Sequence, residues 1–140
     1  MPHLIFTCDP DFNDLALDEF YRDSVYAAVT AELAPGVWLG ECDDGFWGLS
    51  ATWQQKPPIF VRHLCPVDVA LPLRGVEDEP ATLAESAESE FTDLLDPDLP
   101  YSVQSRVLDN DLPYKPFDLN IAISAALTDA TGATVDVRAP

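Results

Sequence analysis

The chain has little positive charge. Its 140 residues hold 7 Lys plus Arg against 25 Asp plus Glu, for a formal net charge of −18, and Lys56 and Lys115 are the only lysines. Such a surface repels phosphate at long range, which excludes bulk electrostatic attraction as the basis of any nucleic-acid binding. The carboxylates are spread along the whole chain and form no acidic tail. That dispersal suits a solvated acidic surface in concentrated salt, where screening quenches self-repulsion. A nucleic-acid mimic, which displaces RNA or DNA from another protein, is the sharper alternative.

Cysteine, histidine and glycine are also scarce. Cys8, Cys42 and Cys65 are odd in number, widely spaced and without a C-x-x-C pair, and His3 and His63 have no partners at ligand spacing. Neither a structural metal nor a disulfide framework is expected, and the thiols read as small hydrophobes. The 6 glycines stand singly at turns, so no phosphate cradle of the G-x-G-x-x-G or G-x-x-x-x-G-K-[ST] type exists, and G-x-S-x-G and H-E-x-x-H are missing too. His63 and Cys65 lie on the same side of an extended backbone, but the only nearby acid, Asp68, follows a proline. A complete enzyme is not expected.

No apolar run approaches the roughly 18–20 residues that span a bilayer. The opening MPHLIFTCDPDF lacks a basic n-region and meets Asp9 early, so neither a signal peptide nor a membrane segment is read, and the cytoplasm is the default compartment.

What is present is an alternation of strand and helix signals. Residues 4-LIFTC-8 suit a buried strand. Asp9-Pro10 then starts a helix to about Asp23, with Phe12, Leu15, Ala16 and Phe20 on a face interrupted by Glu19. Residues 24–33 fit strand or helix equally. Ala34-Pro35-Gly36 is a turn, and 37-VWLGE-41 and 46-FWGLSATW-53 read as aromatic strands joined by a hairpin through Asp44-Gly45. Lys56-Pro57-Pro58 divides the chain.

The stretch 59-IFVRHLCPVDVALPL-73 holds two prolines and reads as an extended connector or broken edge strand. After the acidic loop 74-RGVEDEP-80, a helix over 81–95 presents Leu83, Ala87, Phe91, Leu94 and Leu95. Residues 101-YSVQSRVL-108 alternate as a strand. Asp118 starts a helix with Ile121, Ile123, Ala125 and Leu127 on its apolar face; Gly132 stops it, and 134-TVDVR-138 is a last strand. The expected fold is α+β (or α/β) in two small subdomains, residues 1–56 and 57–140, each packing helices on one face of a short mixed sheet.

The C-terminal half, YSVQSRVL, then Lys115-Pro116-Phe117, DLNIAISAALTDATG and ATVDVRAP, resembles the second half of a THUMP domain. The matching positions are Val103, Arg106, Phe117, Asn120, Ile121, Ile123, Ala126, Leu127, Gly132, Val135, Asp136 and Pro140. PPIFVRHLCPV resembles the connector entering that domain in M-type rRNA ribose 2′-O-methyltransferases, and LIFTCDPDFNDLALDEF resembles their opening strand and helix. Val107 and Ser124 depart from the pattern, where a second basic residue and a glycine recur. The resemblance implies a ferredoxin-like N-terminal subdomain followed by a THUMP-like subdomain, truncated before the S-adenosylmethionine-dependent catalytic domain.

The resemblance implies an RNA-binding, substrate-positioning portion, non-catalytic by itself, whose partners are structured RNA (rRNA) and the missing C-terminal methyltransferase domain. It implies no cofactor or metal in this chain. Arg62, His63, Arg106, Lys115 and Arg138 are the candidate RNA-binding residues, with Tyr101, Tyr114 and Phe117 available for stacking on unpaired bases. The reading from a different class is an acidic protein–protein interaction module or nucleic-acid mimic.

Overall fold

The computed structural model describes residues 3–108 and 111–136. Its elements run β1 (His3–Cys8), α1 (Asn13–Asp23), β2 (Ala28–Ala34), β3 (Val37–Glu41), α2 (Gly45–Gln55), β4 (Val61–Pro66), α3 (Glu79–Phe91) and α4 (Pro116–Thr131), with 3-10 turns at Pro10–Phe12 and Thr92–Leu94. The fold is mixed α+β, and the sheet is four-stranded, ordered β2-β3-β1-β4, with every neighbouring pair antiparallel. The chain divides between Asp68 and Val69.

In the first unit the sheet carries both helices on one face. Alternation along β1 points Leu4, Phe6 and Cys8 inward, where they pack with Ala16 and Phe20 of α1 and with Leu49 and Trp53 of α2. The Phe6 and Phe20 rings stack at 4.8 Å between centroids. Gly40 of β3 lies under Phe20, whose ring a Cβ would approach to 3.0 Å. Pro35-Gly36 closes β2 onto β3, with Gly36 at φ +77, where an added Cβ would lie 2.2 Å from the Cys8 carbonyl oxygen. Proline at the first corner and a left-handed glycine at the second are the requirements of a type II turn.

Several local expectations are corrected here. The segment 46–53 is helical, and no hairpin forms at Asp44-Gly45. Phe46, Leu49, Ser50 and Trp53 recur at helical spacing, and covering the sheet with a second helix outweighs the strand preference of the aromatics. The stretch 59–73 contributes an edge strand, β4, pairing with β1. The first unit therefore continues through Asp68, where the prolines at 57–58 had suggested a boundary at residue 56. Helix α1 buries Ala16, Glu19 and Phe20 and leaves Phe12 and Leu15 largely exposed.

The second unit is helical at its centre, α3 packed on α4. Glu79, Ala84 and Ala87 are the buried residues of α3, and Leu119 and Leu127 those of α4. Thus α4 turns Leu119, Ile123 and Leu127 inward at i, i+4, i+8; of the apolar face read from sequence, Ile123 and Leu127 point inward while Ile121 and Ala125 point outward. Gly132 ends α4 at φ +75, as its position after the last periodic residue predicts. The segment 101–108 forms no strand; Tyr101 makes one parallel bridge to Val135. Of the last expected strand, residues 137–138 lie outside the described residues.

Candidate nucleic-acid interface

Arg62 and His63 sit on β4, an edge strand. The register passes from Thr7↔His63 to Cys8↔Val61, so Arg62 is the extra residue of a β-bulge and projects from the edge. Its guanidinium is 3.9 Å from the Asp9 carboxylate and mostly solvent-exposed. His63 Nδ1 lies 2.9 Å from the Thr7 hydroxyl across the strand pair. Beside them runs an open cleft of about 230 Å³ between α2 and β4, with Trp53 and Gln54 on one wall and Arg62 and Leu64 on the other.

The connector that delivers β4 is held by a buried carboxylate. Glu19, 4% exposed, accepts the Ile59 amide at Oε2 (2.5 Å) and the Phe60 and Val61 amides at Oε1 (2.8 and 2.9 Å). Successive main-chain donors converging on one carboxylate make an anion nest filled by a side chain. The polar break that Glu19 made in the apolar face of its helix was the sequence signal for this clamp.

Strand register also defines the sheet face opposite the helices. Ile5 and Thr7 of β1 pair with Leu39 and Val37 of β3, while Trp38 turns to the helix side and donates its indole N–H to Asn13. No Phe, Tyr or Trp of the four strands lies on this open face, where His63 stands opposite Thr7.

In the second unit Arg106 and Lys115 are both exposed. Lys115 is the residue before α4; its amide donates to Asp118 Oδ2 at 2.9 Å, so the helix terminus already has a carboxylate. Arg138 lies outside the described residues. Arg62 and His63 therefore share one strand, and Arg106 and Lys115 share the other unit.

Two of the three nominated aromatics have structural employment. Tyr114 is 5% exposed and donates its hydroxyl to Glu79 at 2.6 Å. Tyr101 donates to the Ser124 carbonyl (2.8 Å), with the Thr128 hydroxyl 2.7 Å away. Phe117, 69% exposed, is the one free to stack.

Glu79 is the second buried carboxylate, and sequence reading missed it. Besides Tyr114 it accepts the Arg74 and Gly75 amides, at 2.5 and 3.1 Å, closing the acidic loop onto the start of α3. The Tyr114 hydroxyl, aided by the Arg74 amide, holds its carboxyl below the usual carboxylate range. Burial pushes the Cys8 and Cys42 thiols up, whereas Cys65 is exposed.

Among the described residues no group of three His, Cys, Asp or Glu side chains is placed to hold a metal ion. No helix of the described residues is long and apolar enough to cross a membrane. A second cleft, about 210 Å³ and lined by Leu71, Leu83, Phe91 and Ile123, is almost wholly apolar. Each of these two clefts falls below the roughly 300–1,000 Å³ of small-molecule sites. Compared with family models, curated proteins and solved structures, the chain matches none.

Proposed function

We propose that the chain is the RNA-recognition portion of an S-adenosylmethionine-dependent rRNA ribose 2′-O-methyltransferase, positioning substrate while the transfer chemistry resides in another domain. The observation that carries this reading is the connectivity of the first unit. The order β1-α1-β2-β3-α2-β4, with sheet order β2-β3-β1-β4 and all pairs antiparallel, supports a ferredoxin-like reading of this unit. It stands where the resemblance places such a subdomain, ahead of the THUMP-like segment that carries Arg106, Lys115 and Phe117. Arg106 and Lys115 would contact phosphates, and Phe117 would stack on an unpaired base.

The test is gel-shift titration with structured rRNA fragments at several salt concentrations. Arg106→Ala and Lys115→Ala weaken binding, each lowering the salt slope by about 1, while Glu88→Ala on α3 leaves it unchanged. Calorimetry with S-adenosylmethionine gives no binding heat. Absence of RNA binding at low salt, or micromolar cofactor binding, overturns the reading.

A second reading, an acidic protein-interaction module, is favoured by the company the arginines keep. Arg22, Arg62 and Arg74 each lie within 4 Å of an aspartate, at 3.1, 3.9 and 3.7 Å. An inert gel shift with every RNA would select it.

A further inference from the structure

We propose that α4 is a homodimer interface, through which two copies of the chain pack antiparallel about a two-fold axis passing beside Ile121. This inference does not depend on the RNA reading, with which it shares Phe117 and Lys115, both covered in the dimer. A helix that is apolar on one face needs one partner; α4 is apolar on two. Its inner face, Leu119, Ile123 and Leu127, meets the α3 side of the unit. Its outer face carries Phe117, Ile121 and Ala125 at i, i+4, i+8, with Phe117 69% and Ile121 54% exposed.

The charge distribution selects a second copy as the occupant. Over its 16 residues α4 carries two charges, Asp118 and Asp129, in a chain of net −18. A strongly acidic protein associates with itself only where carboxylates are sparse, and this is such a segment.

Geometry then fixes the arrangement. With Ile121 facing its own copy across the axis, Phe117 of one protomer meets Ala125 of the other, a large side chain against a small one, twice by symmetry. The same register sets Lys115 opposite position 127 of the partner. Asp129 of the partner is two residues farther, about 3 Å along the axis at 1.5 Å per residue, within reach of a lysine stem. Neither Lys115 nor Asp129 makes an ion pair among the described residues, so each is available to the partner copy. Antiparallel packing also sets the helix dipoles head to tail.

Sedimentation equilibrium tests the state and cysteine cross-linking tests the register. Wild-type chain should dimerise with rising concentration, and more strongly as salt screens the two acidic protomers. Ile121→Glu should raise the dissociation constant at least about tenfold. Lys115→Glu and Asp129→Lys should each weaken the dimer, and the double exchange should restore it. In a Cys65→Ser background, Ile121→Cys should oxidise with diamide to a symmetric disulfide faster than Leu94→Cys, which is 70% exposed but belongs to the 3-10 turn Thr92–Leu94 and not to α4. The cross-linking arm remains decisive if Ile121→Glu impairs folding. A chain monomeric at all concentrations, or cross-linking equal at positions 121 and 94, overturns the proposal.

Discussion

Replacing Glu19 separates its two oxygens. In Glu19→Ala the Ile59, Phe60 and Val61 amides all lose their acceptor, but they do not suffer alike. Ile59 is 83% exposed and its N–H can turn to water, whereas Val61 is 7% exposed and Phe60 half-buried. An orphaned buried donor costs about 1–3 kcal/mol, so with two trapped donors and partial relaxation the expected loss is about 2–4 kcal/mol. Glu19→Gln is milder. Its carbonyl can take the Oε1 position and keep Phe60 and Val61, leaving the amide nitrogen facing Ile59, the amide that water can serve. The expected loss there is about 1 kcal/mol. The assay is urea denaturation followed by tryptophan fluorescence, because Trp38, Trp47 and Trp53 all belong to the first unit and report on it alone. Hydrogen exchange of the Phe60 and Val61 amides should accelerate in Glu19→Ala and stay close to wild type in Glu19→Gln. Equal losses for the two variants, or a loss under about 0.5 kcal/mol for Glu19→Ala, would refute the clamp.

The second unit should lose stability in acid through Glu79. Its folded carboxyl is held below its ordinary value of 4.5, so the stabilisation is fully present above that pH and is lost as pH falls below it. Tyr114→Phe removes the main cause, and far-UV dichroism melts should show a shallower acid dependence for the variant than for wild type. The thiols should divide by burial: native chain at pH 8 should react with an aromatic disulfide reagent quickly at Cys65 only, and denatured chain at all three cysteines. If the acidity is an adaptation to salt, melting temperature should rise from dilute to molar KCl as the Debye length falls from about 10 to 3 Å. A flat profile removes that explanation.

Much of the first unit was legible in the amino-acid order, because its signals are local. A short apolar run marked β1, Pro35-Gly36 marked the turn, and Pro66 and Pro72 marked 59–73 as an extended connector or broken edge strand. Asp9-Pro10 announced the first helix, and its side chain does accept the Asp11 amide at 2.9 Å. Gly132 announced the end of the last helix.

Tertiary structure decided the rest. FWGLSATW holds both a strand's composition and a helix's spacing, and only the need to cover Leu4 and Phe6 selects the helix. Residues 101–108 alternate like a strand but find no partner among the described residues beyond the Tyr101–Val135 bridge, and alternation without a ladder makes no sheet. The nominated aromatics were sorted the same way: Glu79 claims Tyr114 and α4 claims Tyr101, which leaves Phe117 outside. Burial is a property of the assembled chain, so a carboxylate such as Glu19 reads in sequence as a blemish on an apolar face. It becomes a clamp only when Ile59, Phe60 and Val61, forty residues on, bring their amides to it.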